Sequence, residues 1–170
     1  MGRGAVPPAL SVRRFSPADL GWAEPLVVAE LGGRWQVRRG EQVDGLQPPG
    51  WVAERDGVPV GLLMAAARDD GWELVLLVAT ERRAGVASML VGRLLDEARR
   101  AGADRVWVVT TNDNLGALAF YQRLGFRLSV LRPGAVDEAR ATRKPEIPTT
   151  GQDGLPLRDE LELVFLFPRS

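Results

Sequence analysis

The sequence predicts a single α/β domain built around a mixed β-sheet with helices on both faces. Two observations carry this prediction. Strand-like segments separated by short turns dominate the first half of the chain, which favours antiparallel pairing. The second half alternates strand, helix, strand and helix, which is typical of crossover units. The chain has 170 residues and an apolar fraction of 45%, enough for the core of one domain.

The first elements of the chain are predicted to be a strand over residues 12–15 and a helix that ends at Gly32. Ser16 is suited to the N-cap position and Pro17 to the first helical position. Residues 34–49 mix polar and apolar side chains between Gly and Pro residues. We expect this segment to be irregular, with a short helix or strand inside it.

A β-hairpin is predicted next, from strands over residues 51–54 and 58–67. The Asp56-Gly57 pair between them is a strong signal for a tight hairpin turn. A second turn at 69–71 leads into a strand over 72–78. This arrangement accounts for the antiparallel part of the sheet.

The second half of the chain contains two strand–helix units, a long insert and a final strand. An amphipathic pattern and a buried-looking apolar run indicate the first helix and its following strand. The predicted elements are a helix over 85–100, a strand over 105–110, a helix over 115–124, a strand over 126–131 and a strand over 160–167. The insert covers 132–158, and residues 135–143 within it have helical character.

The composition narrows the chemistry that this chain can perform. It contains no cysteine and no histidine, so disulfides, thiolate nucleophiles and the commonest zinc ligands are excluded, and we expect no metal site. The formal net charge is zero, which gives no global field for nucleic acid or a membrane surface. No apolar run approaches membrane-spanning length. A cytoplasmic protein is expected, with residues 1–10 as a flexible tail and 11–170 as the domain.

The segment from Arg82 to Ala87 has the features of an anion site. It follows a buried strand and opens directly into a helix, where the first backbone N–H groups have no intrahelical partner and the helix dipole adds positive charge. Gly85 and Ala87 have almost no side chain, so a phosphate can approach the backbone. Arg82 is interpreted as a phosphate ligand, whereas Arg83 fits either that role or a solvated one.

A second cluster of chemistry-bearing residues follows about thirty residues later. Asn114, Ala117 and Tyr121 fall within one stripe of the predicted helix, and Gly125-Phe126 closes it. Tyr121 is the only tyrosine in the chain. Packing against the sheet would explain an aromatic residue here. The tryptophans Trp51, Trp72 and Trp107 are interpreted as core residues.

Together the two motifs resemble those of the GNAT superfamily of N-acetyltransferases. Arg82-x-x-Gly85-x-Ala87 is similar to its acyl-CoA pyrophosphate loop, and Asn114-x-x-Ala117-x-x-x-Tyr121 with Gly125-Phe126 is similar to its later signature. The resemblance implies a central mixed, mostly antiparallel sheet that is splayed between the fourth and fifth strands counted above. It also implies acetyl-CoA as co-substrate, lying in the splay, and transfer of its acetyl group to a primary amine.

The resemblance also assigns roles to individual residues. The pyrophosphate would lie on the backbone of Arg82, Arg83, Ala84, Gly85, Val86 and Ala87. The pantetheine arm would pair with the backbone at Leu76, Leu77 and Val78, where one N–H would polarise the thioester carbonyl. Asn114 would meet the pantetheine or fix the loop, Ala117 would be a further coenzyme-binding residue, and Tyr121 would protonate the departing thiolate.

The amine must lose a proton before it attacks, and without histidine a carboxylate acting through water is the expected base. Glu73 is the first candidate, because strict alternation places it on the same face as Val75 and Leu77. A bulge in this strand would reverse that parity. A solvated carboxylate at the strand end is the alternative reading of Glu73. The weaker candidates for the base are Glu54, Asp113 and Glu160.

The insert at 132–158 is hypothesised to cover the acceptor site, with Lys144, Arg158, Asp159 or Glu160 able to contact substrate. A packing arm or a dimer contact is an equal alternative, since long loops are usually functional or disordered. The segment resembles that of an uncharacterised bacterial acetyltransferase subgroup with a KPxIP…GxPxRDE-like insert, which brings no substrate with it. The acceptor is expected to be a small molecule or peptide. Alternatives are a non-catalytic acyl-CoA-sensing module and a purely structural domain.

Overall fold

The computed structural model describes residues 9–47 and 49–169. Within them the strands are β1 (Leu10–Arg14), β2 (Trp35–Arg38), β3 (Glu41–Asp44), β4 (Gly50–Arg55), β5 (Val58–Arg68), β6 (Gly71–Ala79), β7 (Arg105–Thr111), β8 (Arg127–Arg132) and β9 (Glu160–Leu166). The helices are α1 (Leu20–Leu31), α2 (Val86–Arg100), α3 (Leu115–Arg123) and α4 (Ala135–Thr142). Residues 1–8 of the expected tail lie outside the described residues, and Leu10 already belongs to β1. No helix of the described chain is long and apolar enough to span a bilayer.

The central sheet has seven strands in the order β1-β4-β5-β6-β7-β9-β8. Only β6 and β7 pair in parallel, and all the other neighbours in this sheet are antiparallel. Helices α1 and α2 cover opposite faces: Val27 of α1 packs with Leu62 and Met64 of β5, while Leu90 of α2 packs with Leu63. The predicted mixed, mostly antiparallel sheet with helices on both faces is confirmed.

The sheet divides between β6 and β7, which are the fourth and fifth strands of the sequence prediction. Their pairing begins at Trp72 with Val106 and ends at Leu74 with Val108. Beyond that point β6 continues to Ala79 beside β5, whereas β7 stays paired with β9 along its whole length. The two strands therefore separate, and the implied splay is confirmed.

A β-bulge in β6 lies at the start of this gap. Leu74 and Leu76 pair with consecutive residues of β5, which leaves Val75 without a partner. A bulge of this kind bends the strand and changes the face of every side chain that follows. Leu74 and Leu77 accordingly pack in the core beneath α2, while Val75 and Leu76 pack on the α1 face. The expectation that Glu73 shares a face with Leu77 is wrong for this reason.

Within the segment predicted to be irregular, residues 34–49, β2 and β3 form a second, two-stranded sheet. Its turn is Arg39-Gly40, with φ of 51° and 73°. Positive φ at both central residues is the geometry of a type I′ hairpin turn. Arg39 fixes this hairpin to the main sheet: its guanidinium lies 3.4 Å from the centre of the Trp107 ring and donates to Glu162 and Asp70.

The start and end of α1 follow from local chemistry. The Ser16 N–H donates to the Asp19 carboxylate at 2.9 Å, as in a capping box, and Pro17 begins a short 3₁₀ turn that continues into the helix. The helix ends at Gly32, whose φ of 74° is the left-handed conformation that favours glycine. The hairpin of β2 and β3 begins three residues later, so this end of α1 positions one wall of the site described next.

Candidate active site

One cavity of about 590 Å³ occupies the gap between β6 and β7. Its lining comes from both strands, the first turn of α2, α3, the β2–β3 hairpin and the insert. Seven of the residues assigned to the first-choice catalytic and coenzyme-binding roles line it: Glu73, Leu76, Leu77, Ala87, Asn114, Ala117 and Tyr121. The other singled-out residues of β6 and the loop, Val78, Arg82, Arg83, Ala84, Gly85 and Val86, lie outside the lining.

The loop before α2 presents free backbone donors at one end of this cavity. The first backbone bond of α2 runs from the Met89 N–H to the Gly85 carbonyl, so the N–H groups of Val86, Ala87 and Ser88 have no carbonyl partner in the described chain. Gly85 is exposed, with φ of 76°. An anion at this position would receive several aligned N–H groups and the positive end of the helix dipole.

The close packing of α2 against the sheet determines which groups of the loop can contact a ligand. The Val86 side chain is buried in the core and lies against Gly61 of β5, where a Cβ would meet Val86 Cγ1 at 2.5 Å. Val86 therefore offers a ligand only its backbone. Arg82 and Arg83 are exposed and make no ion pair with the described residues, so both guanidinium groups are available to an anion.

Tyr121 lies on α3 and is 6% exposed. Its ring contacts Phe120 and Phe126, with ring centres 5.2 and 5.4 Å apart. The hydroxyl has no hydrogen-bond partner among residues 9–47 and 49–169, although the residue lines the cavity. Burial raises the pKa of this phenol, which keeps it protonated through the neutral range. The Tyr121 ring therefore packs against its neighbours, and its hydroxyl remains free to donate a hydrogen bond.

Asn114 fixes the start of α3. Its side-chain oxygen accepts from the Ala117 N–H at 3.1 Å, which is the bond expected of an N-cap. This contact holds the end of β7 and the first turn of α3 in place at the cavity wall. The side-chain amide of Asn114 remains able to donate to a ligand.

Glu73 is 1% exposed, so the interpretation as a solvated strand-end carboxylate is wrong. Arg38 of the hairpin donates to it from Nε at 2.5 Å and from Nη2 at 2.7 Å, and Arg68 donates from Nε at 2.7 Å. Three guanidinium N–H groups therefore occupy its two oxygens. Glu73 joins the hairpin to the main sheet at the narrow end of the gap.

The three weaker candidates for the base differ in position. Glu54 pairs with Arg13 on β1, outside the cavity lining. Asp113 accepts from the Thr111 hydroxyl and the Gln152 N–H and also lies outside the lining. Glu160 does line the cavity and is 5% exposed.

Glu160 is the buried carboxylate of this cavity with an unused oxygen. Its Oε1 atom accepts from the Arg39 N–H and from Arg132 Nη1, both at 3.0 Å. Its Oε2 atom has no hydrogen-bond partner within the part of the chain that the structure describes. One side of the carboxylate is thus fixed by two donors, and the other is free for a ligand.

The insert contacts both the loop after β7 and the β2–β3 hairpin. Asn112 accepts from the backbone N–H groups of Arg158 and Asp159 and donates to the Pro156 carbonyl, which ties the insert to the loop after β7. On the opposite side, Lys144 Nζ donates to the Trp35 carbonyl of the hairpin at 3.0 Å. The insert therefore bridges the two walls.

Four residues in or next to the insert were named from the sequence as possible substrate contacts. Lys144 and Glu160 line the cavity, whereas Arg158 and Asp159 do not. Arg140 of α4 organises the segment by donating to the carbonyls of Ile147, Pro148 and Leu157. Trp51 and Trp107 are core residues, as predicted. No group of three or more His, Cys, Asp or Glu side chains in the described chain is arranged to hold a metal ion.

Sequence reasoning missed Arg38 and Arg39 because it did not recognise their hairpin. The signal was available: Gly40 follows Arg39 between two short segments, 36–38 and 41–43, that each contain one valine among polar residues. A two-residue turn with glycine second is typical of a type I′ hairpin. The contact of Lys144 with Trp35 joins residues 109 positions apart, so no local pattern could have predicted it.

Comparisons with known proteins agree with this architecture. The model of the acetyltransferase (GNAT) family matches residues 21–126. The uncharacterised protein YxbD of Bacillus subtilis (strain 168) is 33% identical over 143 residues, which cover 84% of each chain. A B. subtilis acetyltransferase solved in complex with CoA superposes with a TM-score of 0.70 at 17% identity, covering 94% of this chain and 100% of that one. A putative acetyltransferase of Salmonella typhimurium with its cofactor acetyl-CoA gives 0.67 at 18% identity, covering 95% and 96%.

Proposed function

The chain belongs to the acetyltransferase (GNAT) family, and we propose that it transfers an acetyl group from acetyl-CoA to a primary amine by direct attack on the thioester. The observation that carries this proposal is the continuous cavity of about 590 Å³ in the gap between β6 and β7. It extends from Ala87 at the start of α2, past Tyr121, to the insert. One cavity thus offers an anion site at one end, a free phenol inside and room for a second substrate at the other end.

The pyrophosphate of acetyl-CoA is assigned to the loop before α2. The free N–H groups of Val86 and Ala87 would donate to its oxygens, and Ala84 and Gly85 leave the backbone open to approach. Arg82 and Arg83 would add charge-assisted contacts from the solvent side. Residues 82–85 are exposed and directly precede the start of α2, where Ala87 lines the cavity, an arrangement that suits a ligand whose nucleotide half remains on the surface.

The pantetheine arm is assigned to the edge of β6 that faces the gap. Leu76, Leu77 and Val78 lie beyond the last pair with β7, so β6 has no strand neighbour on that side. An extended chain with amide groups can pair with such an edge. Asn114 and Ala117 would bound the arm from α3. A backbone N–H of β6 would polarise the thioester carbonyl, as an oxyanion donor does.

In the proposed reaction the acceptor first loses a proton from its ammonium form through water to a carboxylate. The nitrogen lone pair then attacks the thioester carbon, the C–S bond breaks, and the nitrogen releases its second proton to solvent as the amide forms. Tyr121 donates its proton to the departing sulfur and recovers one from solvent. Because burial raises the pKa of this phenol, it is a weak acid towards a thiolate. We therefore place its contribution at the lower end of the usual range for general acids, about 100-fold.

The role of Glu73 as the base remains a prediction. It is buried at the cavity wall, but three guanidinium N–H groups already contact its oxygens. A proton relayed to Glu73 would have to share an oxygen with one of them. This arrangement, together with the weak acidity of Tyr121, favours one alternative function, a module that binds acyl-CoA without turnover.

A ligand test and a turnover test separate these functions. A ligand at 100 times its Kd adds about 2.7 kcal/mol to stability, which for a domain of this size raises the Tm by about 5–10 °C. We expect such a rise with CoA and acetyl-CoA, and release of free thiol when a primary amine is added. Stabilisation without thiol release on any amine would favour the binding module. Absence of stabilisation by either compound would refute both functions.

A further inference from the structure

The acceptor end of the cavity has a carboxylate arranged to receive a positively charged group. Glu160 is held on one oxygen by the Arg39 N–H and Arg132, while Oε2 has no partner among the described residues. Arg39 and Arg132 also donate to Glu162, which fixes both donors in place. The carboxylate is therefore preorganised, and its second oxygen can accept from a ligand in the cavity that Glu160 lines.

The charges around this space favour a cationic ligand. Four carboxylates line the cavity, those of Glu30, Glu73, Glu146 and Glu160, against the two cations Arg38 and Lys144. Glu73 is already paired with Arg38 and Arg68, and Glu160 is paired with Arg132. The excess negative charge is therefore carried by Glu30 and Glu146, which are exposed and have no ion pair among the described residues, while Lys144 donates to a backbone carbonyl. A primary amine enters as an ammonium ion at neutral pH, so this excess of negative charge attracts it, whereas a carboxylate on the same acceptor would be repelled.

The remaining lining at this end is largely apolar. It includes Val37, Val109, Val136, Ile147 and Leu157. Burial of an apolar body against these side chains would supply binding energy in addition to the ammonium contact. An acceptor whose body is itself charged or strongly polar would lose that energy.

The insert limits the length of the acceptor. The bond from Lys144 to the Trp35 carbonyl joins the insert to the hairpin across the cavity. The contacts of Asn112 and Asp113 with the insert close the side next to β7. A polypeptide would need an open path between these walls for the residues that follow its N-terminus.

We propose that the acceptor is a small lipophilic primary amine that binds as a cation, with Glu160 Oε2 as the contact for its ammonium group. This inference rests on the proposed function, since it names the acceptor class of the same site. Glu160 is a specificity-determining residue under this proposal. Its free oxygen would bind the ammonium group of the acceptor, and the apolar lining would bind the hydrocarbon part of the acceptor.

The first experiment measures thiol release from acetyl-CoA with four probes. They are 2-phenylethylamine, phenylalanine, spermidine and an octapeptide with a free N-terminal alanine. We expect the highest kcat/KM for 2-phenylethylamine. A higher value for phenylalanine, spermidine or the octapeptide would overturn the inference. Thermal stabilisation by acetyl-CoA with no thiol release from 2-phenylethylamine or from hexylamine would also overturn it.

The second experiment compares Glu160→Gln with Glu138→Gln. The glutamine carbonyl can still accept from the Arg39 N–H and Arg132, but its NH₂ group would face the ammonium. We expect KM for 2-phenylethylamine to rise about 10- to 100-fold, the loss of one charge-assisted hydrogen bond, with the Tm shift by acetyl-CoA unchanged. Glu138 is an exposed carboxylate of α4 outside the cavity, and its variant should keep the wild-type KM.

The two possible failures have different signatures. Unchanged KM in a folded Glu160→Gln variant would refute the role of Glu160, while acetyl-CoA binding and turnover would leave the proposed function intact. Absence of any Tm shift by acetyl-CoA in the wild-type protein would instead refute the proposed function, and with it this inference.

Discussion

Gly151 of the insert lies directly against the carboxylate of Asp113, with no space for a Cβ between them. The neighbouring Gln152 N–H donates to the same carboxylate at 2.9 Å, and Thr111 donates to its other oxygen. Asp113 is the residue before the N-cap of α3, so this contact joins the insert to the turn that carries Asn114 and, two helical turns on, Tyr121. The position of the insert is therefore set by the same loop that positions the predicted catalytic helix.

Gly151→Ala should displace the insert without removing the loop before α2. The added methyl group would force Asp113 and the insert apart, at a cost of about 1–3 kcal/mol for overpacking. We expect a lower Tm and a higher KM for the amine, with the stabilisation by acetyl-CoA retained. Gly92→Ala is the matched control, because a Cβ there meets nothing within 4 Å. Equal acceptor kinetics for both variants would show that the insert does not form the acceptor wall.

Arg82→Ala should weaken the binding of acetyl-CoA. Loss of one charge-assisted contact to a phosphate that remains solvent-exposed is expected to raise the Kd about 3- to 10-fold, and more at low ionic strength than at high. Calorimetric titration at two salt concentrations measures both effects. Arg93→Ala is the matched control. It removes an exposed arginine from α2, away from the loop that precedes this helix, and should leave the Kd unchanged. A Kd that is the same in both variants would remove Arg82 from the binding site.

Tyr121→Phe should lower kcat about 100-fold while the Kd for acetyl-CoA stays within a factor of two or so, because the phenol is assigned to the departing sulfur and not to binding. The Phe side chain preserves the ring contacts with Phe120 and Phe126. Undiminished turnover would show that the residue only packs. Turnover and affinity should be measured on the same preparation, so that loss of folded protein is not mistaken for loss of chemistry.

The same variant should be more resistant to alkaline unfolding. Burial raises the folded-state pKa of Tyr121 above its unfolded value near 10. The neutral phenol is the form that the fold accepts, so its contribution is fully present below about pH 10 and is lost as the pH rises towards the folded-state pKa. We expect the Tm of the wild-type protein to fall more steeply than that of Tyr121→Phe above about pH 10. Parallel curves would contradict a buried phenol.

Glu73→Gln should destabilise the fold, and the same variant tests whether Glu73 is the general base. Removal of one partner from a buried ion pair typically costs about 3–5 kcal/mol, and because Arg68 is about one-third exposed we expect the lower end. Denaturant unfolding measures this loss. If Glu73 is the base, the acidic limb of the pH–rate profile disappears in the variant. If kcat/KM keeps the wild-type pH dependence, Glu73 only connects the hairpin to the sheet.

The elements that could be predicted from the sequence are those that depend on a few neighbouring residues. The Ser16-Pro17 helix start, the Asp56-Gly57 hairpin and the loop that ends at Gly85 all lie where they were expected, because each depends on a few adjacent residues. Helical spacing placed Asn114 and Tyr121 on one stripe of a helix in the same way, and the resemblance to the GNAT superfamily assigned that stripe to the site. In each case the interactions that determine the structure join residues close together in the sequence.

The features that the sequence did not reveal depend on contacts between distant segments. The bulge at Val75 is a mismatch of one residue between β5 and β6, and neither strand shows it alone. The burial of Glu73 depends on Arg38, which belongs to a hairpin that was not recognised. The free oxygen of Glu160 depends on Arg39 and Arg132 both reaching one side of the carboxylate. Such geometry is defined only when the sheet is assembled.

The cavity exists because two neighbouring strands stop pairing after Leu74 and Val108, and the cause lies in the main chain. We therefore expect the exchange of single side chains in the lining to leave the gap open. Substitutions such as Val109→Ala or Val136→Ile can alter what the cavity accepts without removing the opening itself. A scaffold of this kind allows new acceptor preferences to arise by single exchanges, at little risk to coenzyme binding.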